Sequence, residues 1–100
     1  MKYNKLVRDK IPEHIRKRGG KPVYHVATRA EYWKKLKEKL YEEIKEFEHN
    51  ESPEEFADLL EVIGAIADYK KFNWKRIVKM GEKKAEERGR FKKRIILDES

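Results

Sequence analysis

The stretch that decides the fold covers residues 29–71 and reads RAEYWKKLKEKLYEEIKEFEHNESPEEFADLLEVIGAIADYKK. Apolar side chains recur in it at steps of three and four, which is the spacing of one helix face. The pattern predicts a helix over 29–48 and a second over 53–71. Between them, Ser52 followed by Pro53 is typical of a capped helix start. The stretch therefore predicts two long helices in an antiparallel hairpin.

Shorter helices flank this hairpin on both sides. Upstream, Pro12 suits a first helical turn and the pair Gly19-Gly20 suits its end. Downstream, Asn73 is a good N-cap and Gly89 a good helix stop. These signals predict one short helix before the hairpin and one further sizeable helix after it.

Two segments have the composition of strands. KPVYHV at 21–26 alternates and contains β-branched residues, and FKKRIIL at 91–97 is a candidate to pair with it. The predicted fold is therefore mainly all-α. It is a single domain over 1–100: an antiparallel helical hairpin plus a third helix, with short flanking strands, forming a helical bundle on oligomerisation.

Composition limits the classes of function. Hydrophobic residues make up 38% of the chain and charged residues 45%, which is polar for a monomer and favours helix faces completed by a partner subunit. The absence of cysteine excludes disulfides, thiolate metal sites and cysteine nucleophiles. No apolar run approaches the roughly 20 residues of a membrane span, so we expect no membrane partner and a cytoplasmic location. Three asparagines and no glutamine, with abundant Lys, Glu and Arg, are typical of proteins built for high temperature.

Charge is unevenly distributed along the chain. The net charge is +7, but residues 42–68 carry most of the acids, whereas 1–39 and 70–94 are rich in Lys and Arg. A nucleic-acid-binding protein more usually shows one uninterrupted basic face. A basic chain with an acidic centre instead suggests an anionic ligand held through a cation.

The first long helix places acids on and beside its apolar stripe. With Leu36 at zero and about 100° per residue, Glu43 falls inside the stripe, Glu46 at its edge and Glu42 on the polar side. A carboxylate within an apolar stripe is costly unless it is paired or coordinated. For Glu43, a buried ion pair with Lys or Arg and a metal ligand are equally good interpretations at this point.

The second long helix carries a matching acidic pair. Glu55 and Asp58 lie one turn apart at the edge of its apolar arc. Glu55 has an alternative role, since it is three residues after Ser52 and would suit a capping box. An antiparallel hairpin brings this pair opposite Glu43 and Glu46 near the turn. Four carboxylates in one place repel unless a divalent cation binds them, and oxygen ligands suit Mg²⁺ or Mn²⁺.

These motifs resemble a known superfamily. Residues 42–46 (EEIKE) and 55–58 (EFAD) match the EExxE and ExxD pattern of the MazG-like, all-α nucleoside triphosphate pyrophosphohydrolases. The resemblance covers nearly the whole chain and points to a compact single-domain branch. It extends to YNKLVRDKIPEHI (3–15), EEFADLLEVIGAIA (54–67) and ERGRF (87–91). The departures are Arg90, where the branch often has a second glycine, and the short gap of eight residues between Glu46 and Glu55.

The resemblance implies an enzymatic activity. It implies Mg²⁺-dependent hydrolysis of a nucleoside triphosphate, or a related nucleotide, between the α and β phosphates, giving monophosphate and pyrophosphate. The metal ligands it implies are Glu43, Glu46, Glu55 and Asp58. A nearby free carboxylate would take the proton of the attacking water, and Glu46 or Glu42 is the candidate. A role in cleaning the nucleotide pool would fit this activity.

A triphosphate also needs cations. The candidates for substrate binding in the N-terminal segment are Lys5, Arg8 and Lys10, with Asn4 and Asp9 as polar contacts. The alternative for this segment is an ordinary solvated basic end. Lys84 and Arg88, one turn apart near the end of the last helix, are second candidates, although a cation there also stabilises a helix C-terminus. Trp33, Trp74 and Tyr69 are candidates to stack on a base, against the commoner role of core packing.

Two other classes of function compete with the enzyme. One is a basic helical module that binds nucleic acid through its Lys and Arg surface without catalysis, its acids forming an ion-pair network. The other is a purely structural helical-hairpin oligomer. The expectation drawn from the sequence is an enzyme with a nucleotide substrate, assembled as a homo-oligomer, with nucleic acid not expected as a partner.

Overall fold

The computed structural model describes residues 4–100, which form four helices and no strand. The predicted all-α fold is therefore confirmed for this part of the chain. The helices are α1 (Ile11–Lys17), α2 (Arg29–His49), α3 (Pro53–Tyr69) and α4 (Trp74–Arg88). Tyr3, the first residue of the quoted N-terminal motif, lies outside the described residues.

Helices α2 and α3 form the hairpin that the sequence predicts. Each begins at a side-chain cap: the Thr28 hydroxyl accepts the N–H of Glu31, and the Ser52 hydroxyl accepts the N–H of Glu55, both at 3.2 Å. The core lies between the two helices and is small. Among residues 4–100, its buried apolar members are Leu36 on α2 with Val62 and Ala67 on α3, and of these Leu36 is fully buried.

The end of the hairpin far from its turn is held by stacked rings and cations. Trp33 of α2 stacks on Tyr69 of α3 with ring centroids 4.9 Å apart and planes 7° apart. The Arg29 guanidinium covers Tyr69 at 4.3 Å, and the Lys70 ammonium covers Trp33 at 4.4 Å. Cations over aromatic faces attract the ring quadrupole, so this stack stabilises the contact between α2 and α3.

Helix α3 ends two residues before the predicted Lys71. Lys71 adopts a left-handed conformation with φ 59° and donates its N–H to the Asp68 carbonyl. The N–H of Phe72 then reaches the Ala67 carbonyl at 2.9 Å. This pair of bonds is a Schellman motif, which terminates a helix even where no glycine is present.

The two predicted strands are wrong for the described chain. Residues 21–26 have no backbone hydrogen-bond partner within 4–100, and Val23 is fully exposed. In 91–97, the N–H of Arg94 donates to the Phe91 carbonyl and Arg94 has a positive φ of 55°, so the segment begins with a turn. A strand needs a partner to satisfy its backbone, and neither segment meets one here.

Helix α4 makes few contacts with the other described helices. Within residues 4–100, the extensive helix–helix contact is the one between α2 and α3, and α4 has no buried residue. The radius of gyration is 18.0 Å, whereas a compact domain of this length has about 13 Å. No helix in the described part of the chain is long and apolar enough to cross a membrane.

Candidate active site

Three carboxylates converge near the turn of the hairpin. Glu43 of α2 and Glu55 and Asp58 of α3 each offer an oxygen, and these oxygens all lie within 4.8 Å of one another. We call these three residues the acidic cluster. Glu43 is 8% exposed, which makes it the one buried charged residue of the described chain, and the other two are half-buried. The helical spacing that placed Glu43 in an apolar stripe therefore explains its burial.

Glu46 stands at the margin of the cluster. It is exposed, and its carboxylate is not among the oxygens that converge. The negative charge of Glu46 nevertheless acts on Glu55 of the cluster. Partial burial, followed by the charges of Glu46, Asp58, Glu43 and Glu54, raises the pKa of Glu55 above its ordinary value of 4.5. The geometry thus brings together three of the four expected ligands and leaves the fourth at the edge.

Glu55 does not form the second hydrogen bond of a capping box, because the backbone of the turn uses the donor. In such a box the Glu side chain would accept the N–H of the capping residue. Here the N–H of Ser52 donates instead to the Asn50 carbonyl at 2.8 Å. The Ser52 hydroxyl still caps the helix, but the carboxylate of Glu55 points to the acidic cluster.

The buried ion pair considered for Glu43 is present as well. Lys39, one turn earlier on α2, places its Nζ 3.5 Å from Glu43 Oε1 and 3.4 Å from Glu42 Oε2. Lys39 is itself largely buried, with a side chain 19% exposed. Glu43 therefore lies between one cation of its own helix and two carboxylates of the next, so neither interpretation of this residue excludes the other.

Glu42 is held as an ion by two lysines. Lys5 Nζ lies 3.2 Å from Glu42 Oε1, and Lys39 contacts the same carboxylate. Burial on its own would raise the pKa of Glu42. The hydrogen bond from Lys5 and the charges of Lys39 and Lys5 outweigh it, so that the pKa of Glu42 is lowered. A carboxylate stabilised in this way is a weak proton acceptor, which favours Glu46 over Glu42 as a base.

The N-terminal segment brings two of the predicted cations to the site. Arg8 lies 2.8 Å from Asp58 Oδ1 and 3.7 Å from Glu61 Oε1, while Lys5 reaches Glu42. The segment therefore crosses both hairpin helices beside the acidic cluster. The carbonyl of Asn4 accepts a hydrogen bond from Lys35 Nζ at 2.8 Å. This bond ties the start of the segment to α2.

The other predicted substrate-binding residues make no hydrogen bond or ion pair with the acidic cluster within residues 4–100. Within residues 4–100, the exposed side chains of Asp9 and Lys10 make no hydrogen bond or ion pair. Lys84 and Arg88 line a separate cavity of about 610 Å³ around the end of α4. Because α4 makes few contacts with the hairpin and these two cations lie near its far end, one chain does not bring them to the acidic cluster.

Two neighbours of the site were missed by the sequence analysis. Lys39 carried a usable signal, since it precedes Glu43 by four residues and therefore shares its helix face. Glu61 of α3 carried no local signal, because its link to the site depends on Arg8, fifty-three positions earlier. Comparisons of the chain with family models, curated proteins and solved structures found no match.

Proposed function

We propose that this protein is a Mg²⁺-dependent hydrolase that cleaves a nucleoside triphosphate, or a related nucleotide, between the α and β phosphates. The observation that carries the proposal is the convergence of Glu43, Glu55 and Asp58 on one point. Exposed acids are common, but a buried carboxylate facing two others is costly unless a cation compensates it. The sequence resemblance to MazG-like pyrophosphohydrolases supports the same activity.

The donor set fits a hard divalent cation. The cluster offers carboxylate oxygens from both hairpin helices, and the chain has no thiolate. Such oxygens suit Mg²⁺, with Mn²⁺ as a substitute. Glu43, Glu55 and Asp58 would hold the ion, with Glu46 available from the margin. A bound ion would neutralise the charge of the phosphates and help to orient or ionise a water.

The residues of the chain have separate tasks in the reaction. Arg8 contacts Asp58 of the cluster and Lys5 contacts Glu42 beside it, and in this proposal both cations hold phosphate oxygens. The oxygen of an attacking water bonds to a phosphorus of the α–β anhydride, and the bond from that phosphorus to the bridging oxygen breaks. Monophosphate and pyrophosphate are released. Glu46, which has no cation partner within residues 4–100, accepts the proton of the water.

We also propose that the protein works as a homo-oligomer. The apolar side chains of Ile77, Val78 and Met80 on α4 remain between 38% and 53% exposed. Phe56 of α3 is exposed as well. A second copy that covered these faces would complete a helical bundle. A nucleotide substrate also agrees with the cytoplasmic location expected from the sequence.

The products of hydrolysis test the proposed activity. Purified protein is incubated with a panel of canonical and modified nucleoside triphosphates, with Mg²⁺ or with chelator, at moderate and high temperature. We expect pyrophosphate and monophosphate to appear in equal amounts, and only with the metal. Release of orthophosphate and diphosphate would place the cleavage at the other anhydride bond. If folded protein forms no product from any nucleotide in the panel, the proposed hydrolase activity is refuted.

A further inference from the structure

Of the three aromatic side chains considered for base stacking, one has a free face. Trp33 and Tyr69 stack on each other, and Lys70 and Arg29 cover them. Trp74, the first residue of α4, is 48% exposed and has no ring or cation on its faces within residues 4–100. The structure therefore removes two candidates and keeps Trp74.

Trp74 lines a cavity against α3. The cavity has a volume of about 280 Å³, near the lower end of the range for ligand pockets. Its other lining residues are Ala57, Leu60, Glu61 and Gly64. Ala57 and Gly64 have little or no side chain, so the surface of α3 is recessed here. A Cβ atom added at Gly64 would have no other atom within 4 Å. The shape thus suits one flat ring system lying between Trp74 and α3.

This cavity adjoins the candidate metal centre. Glu61, in its wall, follows Asp58 of the acidic cluster by three residues and so lies one helical turn away on a neighbouring face. Arg8 spans the two, with Nη2 at Asp58 and Nη1 at Glu61. A molecule whose phosphates lie at the acidic cluster and beside Arg8 would therefore place its other end near Trp74.

Glu61 gives the cavity a hydrogen-bonding character. Its side chain is 65% exposed, and its contact with Arg8 is long at 3.7 Å, so its oxygens stay free to accept. An ionised carboxylate accepts hydrogen bonds only. It pairs with ring or exocyclic N–H groups and repels carbonyl oxygens. Guanine, adenine and cytosine present an amino group, whereas the ring N–H of uracil and thymine is flanked by carbonyls.

We propose that this cavity is the nucleobase subsite, in which the base stacks on Trp74 and turns an amino edge to Glu61. The inference rests on the proposed function and adds a substrate class to it. The protein then prefers nucleotides with an amino-bearing base over those of uracil and thymine. Stacking supplies affinity that is tolerant of base identity, and Glu61 supplies the discrimination.

Tryptophan fluorescence tests the stacking directly, because the chain has two tryptophans. The probes are the α,β-methylene analogues of GTP and UTP with Mg²⁺. We expect the GTP analogue to quench emission in wild type and in the control Trp33→Phe, and to leave Trp74→Phe unquenched. Equal quenching in Trp74→Phe would overturn the subsite, and so would equal affinity for the two analogues.

Turnover separates this inference from the proposed function. We expect the KM of wild type for UTP to exceed that for GTP by roughly tenfold, the weight of one good base contact. Glu61→Gln should reduce the ratio of the KM for UTP to the KM for GTP. An amide can accept a hydrogen bond from an amino group and can also donate one to a carbonyl oxygen of uracil. If Trp74→Ala and Glu61→Gln both release pyrophosphate with the KM values of wild type, the subsite is wrong and the hydrolase stands. If wild type releases no pyrophosphate from any nucleotide, the proposed hydrolase activity itself is wrong.

Discussion

Arg8 and Asp58 are fifty positions apart in the sequence and form the shortest ion pair among residues 4–100, at 2.8 Å. The contact ties the N-terminal segment to α3 at the edge of the acidic cluster. It also means that Asp58 already has a cation beside it before any ligand arrives. Arg8 would thus turn from Asp58 to a phosphate oxygen when a metal ion takes over the carboxylate.

Removal of the Arg8 side chain should weaken substrate binding and leave the stability of the fold almost unchanged. Both side chains of the pair are about half exposed, and such pairs contribute less than about 1 kcal/mol to folding. We expect Arg8→Met to leave the unfolding midpoint almost unchanged and to raise the KM for nucleotide several-fold. Lys34→Met on the exposed surface of α2 is the control for loss of charge. Equal KM values for the two variants would remove Arg8 from the site.

The acidic cluster should give stability an unusual dependence on pH. The folded protein holds the proton of Glu55 more tightly than the unfolded chain, because the pKa of Glu55 is raised above 4.5. The free energy of unfolding therefore falls as the pH rises from this value through the raised pKa. We expect Glu55→Gln to remove that decline, as measured by urea unfolding in chelator across the acidic range.

Glu42 should act in the opposite direction. Its pKa is lowered in the folded state, so its contribution to stability is present above the ordinary carboxyl pKa. That contribution is lost as the pH falls through the lowered pKa. Glu42→Gln should therefore weaken the protein near neutral pH and flatten its loss of stability in acid. The same slope in Glu42→Gln and Glu55→Gln would contradict the assigned environments.

Lys39 should be a counter-ion that a metal can replace. Without it, Glu43 would stay buried beside two carboxylates and lack a cation. We expect Lys39→Met to destabilise the protein by about 2 kcal/mol in chelator, less than for a fully buried pair. Mg²⁺ should restore most of the loss. Lys45→Met, on the exposed side of α2, is the control. If Lys39→Met is as stable as its control in chelator, the acidic cluster is not under electrostatic strain.

The exposed apolar face of α4 should be buried in an interface between copies of the chain. Val78 is 45% exposed in one chain, so a charge there would cost little if the face met only water. We expect Val78→Asp to convert an oligomer into monomers in light scattering, while Lys83→Asp on the opposite side of α4 leaves the mass unchanged. A monomeric wild type at working concentration would contradict the proposed assembly.

Local signals were sufficient to predict the helices and the convergence of three of the four expected carboxylates. Ser52-Pro53 and the helical periodicity fix the hairpin, and the hairpin brings Glu55 and Asp58 to Glu43. Non-local contacts were not accessible in the same way. The pairing of Arg8 with Asp58 depends on how the N-terminal segment folds back across both helices. The strands predicted over 21–26 and 91–97 failed because local composition alone cannot supply a pairing partner.

Binding of Mn²⁺, followed by the electron paramagnetic resonance of the free ion, tests the central claim that the acidic cluster is a divalent-cation site. Wild type, Glu43→Gln and the exposed control Glu48→Gln are titrated at neutral pH without nucleotide. The account predicts that wild type and Glu48→Gln deplete free Mn²⁺ to the same extent, that Mg²⁺ competes, and that Glu43→Gln leaves the ion free. A folded wild type that binds no Mn²⁺, or a Glu43→Gln variant that binds it as wild type does, would contradict the account.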